Sequence, residues 1–134
     1  ASQFFDPLPS APGSETAEAI ADAACSIARE VGARIIVALT ESGGTARLVS
    51  KARPRVPILA LSPDERTLRR LALFWGVSPR PMDVVTDLEL LTVRTRAMLL
   101  DAGMVKAGDR FVVVYGAPLG ERGSTNAVRV EQVK

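Results

Sequence analysis

The sequence predicts an α/β fold, in which helices cover both faces of a mainly parallel sheet. Apolar runs of strand length alternate with segments of helical periodicity over residues 14–116. The runs 33–39 and 58–61 are apolar throughout, as is typical of parallel strands buried on both faces. The last two strands, 109–116 and 127–133, are joined by only about ten residues. That is too short for a parallel crossover, so we expect them to pair antiparallel.

The composition indicates one folded domain. The 134 residues are 47% hydrophobic and 24% charged, which is enough apolar surface for a core and too much for a disordered chain. A net charge of +2 and an aromatic content of 4% do not favour nucleic acid or a membrane as partner. No apolar run approaches the ~18 residues of a membrane span. We therefore expect a cytoplasmic protein.

The sequence excludes several kinds of reactive site. It has no histidine and one cysteine, which excludes an intrachain disulfide, the usual zinc ligand sets and histidine-assisted nucleophiles. Cys25 lies in the apolar helical pattern AIADAACSIA, where a small core residue is expected. No pair of carboxylates is placed for acid–base chemistry. We expect no catalytic residue, metal ligand or cofactor in this chain.

The first helix is predicted to begin at Ser14 and to end at Gly32. Residues 1–13 contain three prolines and no period, so they are interpreted as a linker or surface tail, and 14–134 as the domain. A short second helix over 44–52 follows the first strand and is stopped by Arg53-Pro54.

Two further helices begin at capping boxes. Ser62 is predicted to cap a helix that runs to about Trp75, with the tryptophan packed in the core. Thr86 is predicted to cap the next helix, which ends at Gly103. Between them, residues 77–82 form a weak strand whose prolines favour an edge position.

The carboxyl ends of parallel strands are where such sheets bind ligands. The turn TESGGT follows the first strand there, SPDE the second and GAPLGERGSTN the fourth. Small hydroxyls and backbone amides at a helix start suit a phosphate group. The turn offers them through Thr40, Ser42, Gly43, Gly44 and Thr45. The alternative is a plain strand-to-helix turn with Ser42 as the cap, and neither the Walker nor the dinucleotide glycine motif is present.

Basic residues follow this turn and recur on the third helix. Most are expected to be solvated: Arg47, Lys51, Arg53, Arg55, Arg66, Arg69 and Arg70. Arg122 is the better candidate for an anion, because a glycine-rich loop can close an arginine over a ligand.

Four motifs stand in order along residues 14–131: T-x-S-G-x-T-A followed by R-P, P-I-x-A, R-x-L-x-L-x-x-G, and G-S-T-N-x-x-R-V. In these the chain resembles the C-terminal domain of pyruvate kinase. The resemblance implies a three-layer α/β/α domain with a five-stranded mixed sheet whose last strand is antiparallel. It also implies subunit contacts in a tetramer and a site for a phosphorylated allosteric effector.

The family's effector contacts fall on Thr40, Ser42, Gly43 and Thr45, and on the loop from Gly116 to Thr125. In that loop the candidate residues are Gly120, Arg122, Gly123 and Ser124. Family catalysis uses a separate barrel that binds phosphoenolpyruvate, ADP, Mg and K. The resemblance therefore implies a homo-oligomer and, if the protein is full-length, a catalytic barrel domain of its own as partner.

Several departures from the family pattern bear on the effector. Members activated by fructose bisphosphate often have a basic residue where this chain has Glu41, and frequently an arginine at Gly44. Their tryptophan and arginine near the fourth helix have no counterpart in residues 82–92. A monophosphate is therefore favoured over a bisphosphate. A stand-alone phosphate-binding module and a purely structural assembly domain, pairing through the last strand, remain as alternatives.

Overall fold

The order of helices and strands follows the predicted alternation. A computed structural model describes residues 14–40, 43–83, 86–116 and 125–134, and within them the chain forms four helices and five strands. The helices are α1 (Ser14–Val31), α2 (Gly44–Lys51), α3 (Glu65–Leu71) and α4 (Leu88–Asp101). The strands are β1 (Ile36–Leu39), β2 (Ile58–Ser62), β3 (Val77–Pro81), β4 (Arg110–Tyr115) and β5 (Ala127–Gln132).

The five strands form one mixed sheet in the order β3-β2-β1-β4-β5. Strand β1 pairs in parallel with β2 on one side and with β4 on the other. The β4–β5 pair is antiparallel, with Val112 opposite Val130, as the short connection predicted. The proline-containing β3 lies at an edge, which confirms that prediction as well.

Each face of the sheet carries its own apolar layer, which gives the three-layer α/β/α architecture. Alternate residues of the strands point to opposite faces, so Ile36 packs in the cluster that contains residues of α1, α2 and α3. Its neighbour Val37 packs in the second cluster, together with Leu99 of α4. The half-buried Cys25 packs against the first cluster, and burial raises the pKa of its thiol, which keeps it protonated at neutral pH.

The first strand is shorter than predicted, because Ala33, the first residue of the predicted strand, forms part of the end of α1. Gly32 has φ of 68°, and the amide of Ala33 donates to the carbonyl of Ala28 at 2.9 Å. These are features of a Schellman ending, which satisfies a helix carbonyl that would otherwise be unpaired. Strand β1 therefore starts at Ile36 instead of residue 33.

Aspartates, and not the predicted Ser62 and Thr86, cap α3 and α4. Asp64 Oδ1 accepts from the amide of Arg66 at 2.9 Å, and Asp87 accepts from the amide of Glu89 at 3.0 Å. Ser62 is the last residue of β2, and its hydroxyl oxygen accepts from the Asp64 amide at 3.1 Å. The serine therefore fixes the turn that precedes α3. The N-cap is Asp64, two residues after the serine that the sequence motif predicts.

The prediction that Trp75 packs in the core was wrong. Helix α3 ends at Leu71, and tighter turn bonds follow, from the Phe74 amide to the Leu71 carbonyl for example, at 3.0 Å. Residues after Leu71 do not keep the helical spacing that would place Trp75 on the buried side of α3. Trp75 is therefore turned outward and is 47% exposed. The Arg53 guanidinium lies 5.3 Å from the centre of its ring, within cation–π distance.

Replacement of Asp64 by alanine is expected to destabilise the domain more at neutral than at acid pH. The hydrogen bond from the Arg66 amide lowers the pKa of Asp64, so its stabilising effect is present above the unfolded pKa of ~3.9. That effect is lost as the pH falls through the lower folded pKa. Thermal unfolding of Asp64→Ala and wild type at pH 6 and pH 3 measures the difference.

Asp64→Asn is the matched control, because asparagine also caps helices but carries no charge. It should keep most of the stability at pH 6, and its thermal midpoint should change less between the two pH values than that of the wild type. An equal loss for Asp64→Ala at both pH values would contradict the charged cap.

Candidate functional site

The carboxyl ends of β1, β2 and β4 meet at one edge of the sheet. These strands are neighbours and run in the same direction, with β1 in the middle. The chain leaves this edge at Thr40, Ser62 and Gly116, as the sequence predicted for its three candidate segments. We call this edge the rim. It also contains the switch point of the topology, because the chain crosses from β3 to β4 on the far side of β1.

A hydrogen bond holds the turn between β1 and α2. The amide of Gly43 donates to the Thr40 hydroxyl oxygen at 2.8 Å, and both residues are buried. The Thr40 amide in turn donates to the carbonyl of Leu61 in β2 at 2.9 Å. The Thr40 side chain is therefore used to fix the turn, and its backbone fixes the turn to the next strand.

Gly43 is the N-cap of α2, with φ of 97° and no side-chain cap, so the assignment of Ser42 as the cap was wrong. This left-handed conformation strains any residue with a Cβ. A Cβ at Gly43 would lie 3.4 Å from Thr67 Cγ2 and 3.5 Å from Leu71 Cδ2, which is ordinary van der Waals contact. The backbone conformation, and not a lack of space, therefore requires the glycine.

The first amides of α2 have no acceptor among the described residues. No described residue accepts from the amides of Gly44, Thr45 and Ala46, as expected for the first turn of a helix. There is no acidic residue in this turn, and Gly44 is exposed. Amides and the positive end of the helix dipole together favour a bound anion.

The hydroxyl of Thr45 joins this turn to the end of the last loop. Its Oγ1 lies 2.5 Å from Oγ1 of Thr125, and both side chains are buried. The two residues are 80 positions apart. Sequence reasoning placed Thr125 at the end of the candidate loop but did not pair it with Thr45, because no sequence pattern reports a contact over that distance. The pair brings Thr125, the end of the loop, to the α2 turn.

The structure brings together four of the residues that the sequence proposed for an effector: Thr40, Gly43, Gly44 and Thr45. The other five lie outside the described residues: Ser42, Gly120, Arg122, Gly123 and Ser124. At the end of β2, the hydroxyl of Ser62 and the carboxylate of Asp64 are engaged in the start of α3. The seven basic residues on and around α2 and α3 are exposed, as expected for solvated side chains.

The described residues contain no candidate metal cluster or membrane span. No group of three or more cysteine, aspartate or glutamate side chains in the described ranges could hold a metal ion. None of the described helices is both long and apolar enough to cross a bilayer.

The pair of buried hydroxyls should be measurable by a double-mutant cycle. Thr45→Val or Thr125→Val alone leaves the partner hydroxyl buried without a bond, which costs about 1–3 kcal/mol of unfolding free energy. The double variant should lose less than the sum of the two, because both hydroxyls are then gone. Urea unfolding of the four proteins gives the coupling free energy.

Thr45→Val combined with Thr92→Val provides the matched control. The Thr92 hydroxyl donates to the Leu88 carbonyl within α4, on the other face of the sheet. Effects at these distant sites should add. Additive effects for Thr45 and Thr125 would show that their hydroxyls do not stabilise each other.

Comparison with known proteins agrees with the fold and with the resemblance. The family model described as "Pyruvate kinase, alpha/beta domain" matches residues 18–131. A pyruvate kinase of Agrobacterium vitis is 42% identical over 116 residues, which cover 86% of this chain and 24% of that protein. A pyruvate kinase of Clostridium acetobutylicum is 37% identical over 119 residues, or 89% of this chain and 25% of that protein.

A solved structure gives the same result. The crystal structure of a pyruvate kinase from Cryptosporidium parvum superposes with a TM-score of 0.81 at 27% identity, over 98% of this chain and 25% of that one. The chain thus spans about a quarter of the length of the relatives it matches. With the family model matching nearly all of it, the chain belongs to the pyruvate kinase α/β domain family.

Proposed function

We propose that this chain is the regulatory and subunit-contact domain of a larger pyruvate kinase, and that its rim binds a small phosphorylated effector. In this proposal the phosphate transfer from phosphoenolpyruvate to ADP takes place on a separate barrel that binds Mg and K. The observation that carries the proposal is the α2 turn, in which a left-handed Gly43 starts a helix beside the Thr45–Thr125 pair, and the first helix amides have no acceptor among the described residues.

The chemistry of the turn supports a phosphate. An anion at the start of α2 would accept hydrogen bonds from backbone amides, and no carboxylate in the first helical turn opposes it. Thr45 links this position to the loop that contains Arg122, the arginine proposed to close over the ligand. A phosphate bound at the start of α2 would then lie next to the loop that contains Arg122.

A monophosphate fits the sequence of the turn better than a bisphosphate. Glu41 precedes Gly43 by two residues, and Gly44 has no side chain to offer a second phosphate. Two charges of the same sign at ~6 Å repel each other, more strongly near a protein surface than in bulk water. We therefore expect the second phosphate of a bisphosphate to reduce affinity.

Calorimetry with fructose 6-phosphate, fructose 1,6-bisphosphate and AMP tests the rim. We expect a monophosphate to bind, and Ser42→Ala with Thr45→Ala to weaken it by roughly a hundredfold, since two lost hydrogen bonds to a charged group cost about 1.5 kcal/mol each. The matched control is Thr16→Ala with Ser78→Ala, two exposed hydroxyl residues on α1 and β3. Unchanged affinity in the first variant would remove the turn from the site.

The genomic context of the chain separates this proposal from a stand-alone binding module. A parent gene that encodes an upstream barrel supports the domain of an enzyme. A gene that encodes only this domain, whose product binds a monophosphate, would support the independent module instead.

One observation favours an assembly role in addition. Among the described strands, β5 pairs only with β4, and Val130 on it is 42% exposed. Two ion pairs join β5 to α4, from Arg129 to Glu89 at 3.5 Å and from Arg96 to Glu131 at 3.3 Å, and a third, at 2.6 Å, joins Arg129 to Glu131 within β5. A strand whose second edge has no partner among the described strands can pair with the same strand of a second subunit.

Sedimentation velocity tests the assembly role. The protein is expected to form oligomers, and Val130→Lys should shift them toward monomers, because a lysine on an edge strand opposes pairing. Val93→Lys, at an exposed position of α4, is the control that should leave assembly unchanged. A wild-type protein that stays monomeric at high concentration would argue against an assembly role for this chain.

A further inference from the structure

Three arginines of α3 line an open cleft. Arg66, Arg69 and Arg70 follow each other at helical spacings of three and four residues, at which side chains are neighbours on a helix surface. With Asp64 and Leu73 they line a volume of about 540 Å³, within the range of about 300–1,000 Å³ that small ligands occupy. We call these five residues the arginine cleft.

The arginine cleft has an excess of positive charge. All three arginines are exposed, and no described carboxylate forms an ion pair with any of them. The acidic residue of the cleft is Asp64, whose Oδ1 accepts from the Arg66 amide at 2.9 Å and so caps the helix. Arg70 Nη2 donates to Thr67 Oγ1 at 3.4 Å, which directs that guanidinium and uses one of its N–H groups. Most donors of the three guanidinium groups therefore have no acceptor among the described residues.

The arginine cleft and the rim turn lie on different sides of α3. The buried residues of this helix are Thr67 and Leu71, and these lie next to Gly43 of the rim turn. The three arginines are exposed and so face away from that side. A ligand in the cleft would not use the amides at the start of α2, so the cleft is separate from the site proposed above.

Several guanidinium groups along one helix favour a ligand with several closely spaced anionic groups. A guanidinium presents a planar fork of N–H donors that matches pairs of phosphate oxygens. A chain of phosphoryl groups carries negative charge on each member and can meet all three forks. An acidic peptide is a poorer match, because its carboxylates stand on separate flexible side chains that must each be ordered. Leu73 is the apolar residue among those that line the cleft, which leaves little contact for a hydrophobic ligand.

We propose that the arginine cleft is a second anion site, which binds a linear chain of phosphoryl groups. Such a chain occurs in inorganic polyphosphate and in the triphosphate of a nucleotide, and both present the same charged oxygens to the arginines. The site goes beyond the proposed function, because it requires neither the rim nor a barrel domain. Since the charges are exposed, the affinity should fall as the salt concentration rises.

Nuclear magnetic resonance of the arginine Nε–H groups tests the site. Tripolyphosphate added to the full chain should shift the signals of Arg66, Arg69 and Arg70 and leave the signal of the exposed Arg94 on α4 in place. By calorimetry, orthophosphate should bind roughly tenfold more weakly than tripolyphosphate, because it pairs with fewer arginines and each exposed ion pair is worth up to about fivefold in affinity. Unshifted cleft arginines, or equal affinity for the two anions, would overturn the inference.

Replacement of two cations shows whether the cleft itself binds the chain. Arg66→Gln with Arg70→Gln should weaken the binding of tripolyphosphate roughly tenfold, because two exposed ion pairs are lost. Glutamine is a good helix former, so α3 should persist, and an unchanged backbone amide spectrum verifies this. The matched control, Arg94→Gln with Lys106→Gln, removes two exposed cations elsewhere and should keep the affinity. Equal losses in the two variants would mean that only net charge matters and would overturn the site.

Further arms separate the sources of the ligand and the two sites. Adenosine triphosphate that shifts the cleft arginines with the affinity of tripolyphosphate supports recognition of the phosphate chain, and tighter binding supports a nucleotide as its source. An oligoglutamate peptide that binds equally well would contradict a site for phosphate. If tripolyphosphate shifts only the amides of residues 44–46, the cleft is not a site and the anion-binding capacity of the rim is supported. Shifted cleft arginines in a protein whose rim binds no monophosphate contradict only the effector site of the proposed function.

Discussion

The two-sided burial of β1 is the constraint on which the rest of the structure depends. Residues 36–38 of this strand are fully buried, and it pairs on both edges with parallel strands that are almost as apolar. Such a strand needs helices on both faces and a crossover after each parallel neighbour. Because the neighbours of β1 run parallel to it, the carboxyl ends of β1, β2 and β4 lie at one edge. The arrangement that buries β1 therefore also forms the rim.

At the rim, the chain must leave a buried strand and start a helix that returns over it. Gly43 makes the reversal possible, because it adopts a left-handed conformation in contact with Thr67 and Leu71. The first amides of the helix that begins there have no acceptor among the described residues, and a buried hydroxyl pair joins the helix to Thr125. The packing of the turn and its backbone conformation thus have one origin.

The two edges of the sheet have different surfaces. At the rim, the hydroxyls of Thr40, Thr45 and Ser62 take part in hydrogen bonds within the domain. At the amino edge, Trp75 is 47% exposed and lies beside the Arg53 guanidinium. Helix α3 runs between the two edges, from its cap at Asp64 to Leu71.

The sequence alone determined the α/β class, the edge position of β3, the antiparallel β5 and four residues of the rim, because apolar periodicity, prolines and turn glycines act locally. Only the tertiary structure decided the Thr45–Thr125 pair, which joins positions 80 residues apart. It also decided the caps at Asp64 and Asp87 and the exposure of Trp75. The physical reason is that helix ends depend on which backbone amide a side chain reaches once the neighbouring strand is in place, and local patterns do not contain that geometry.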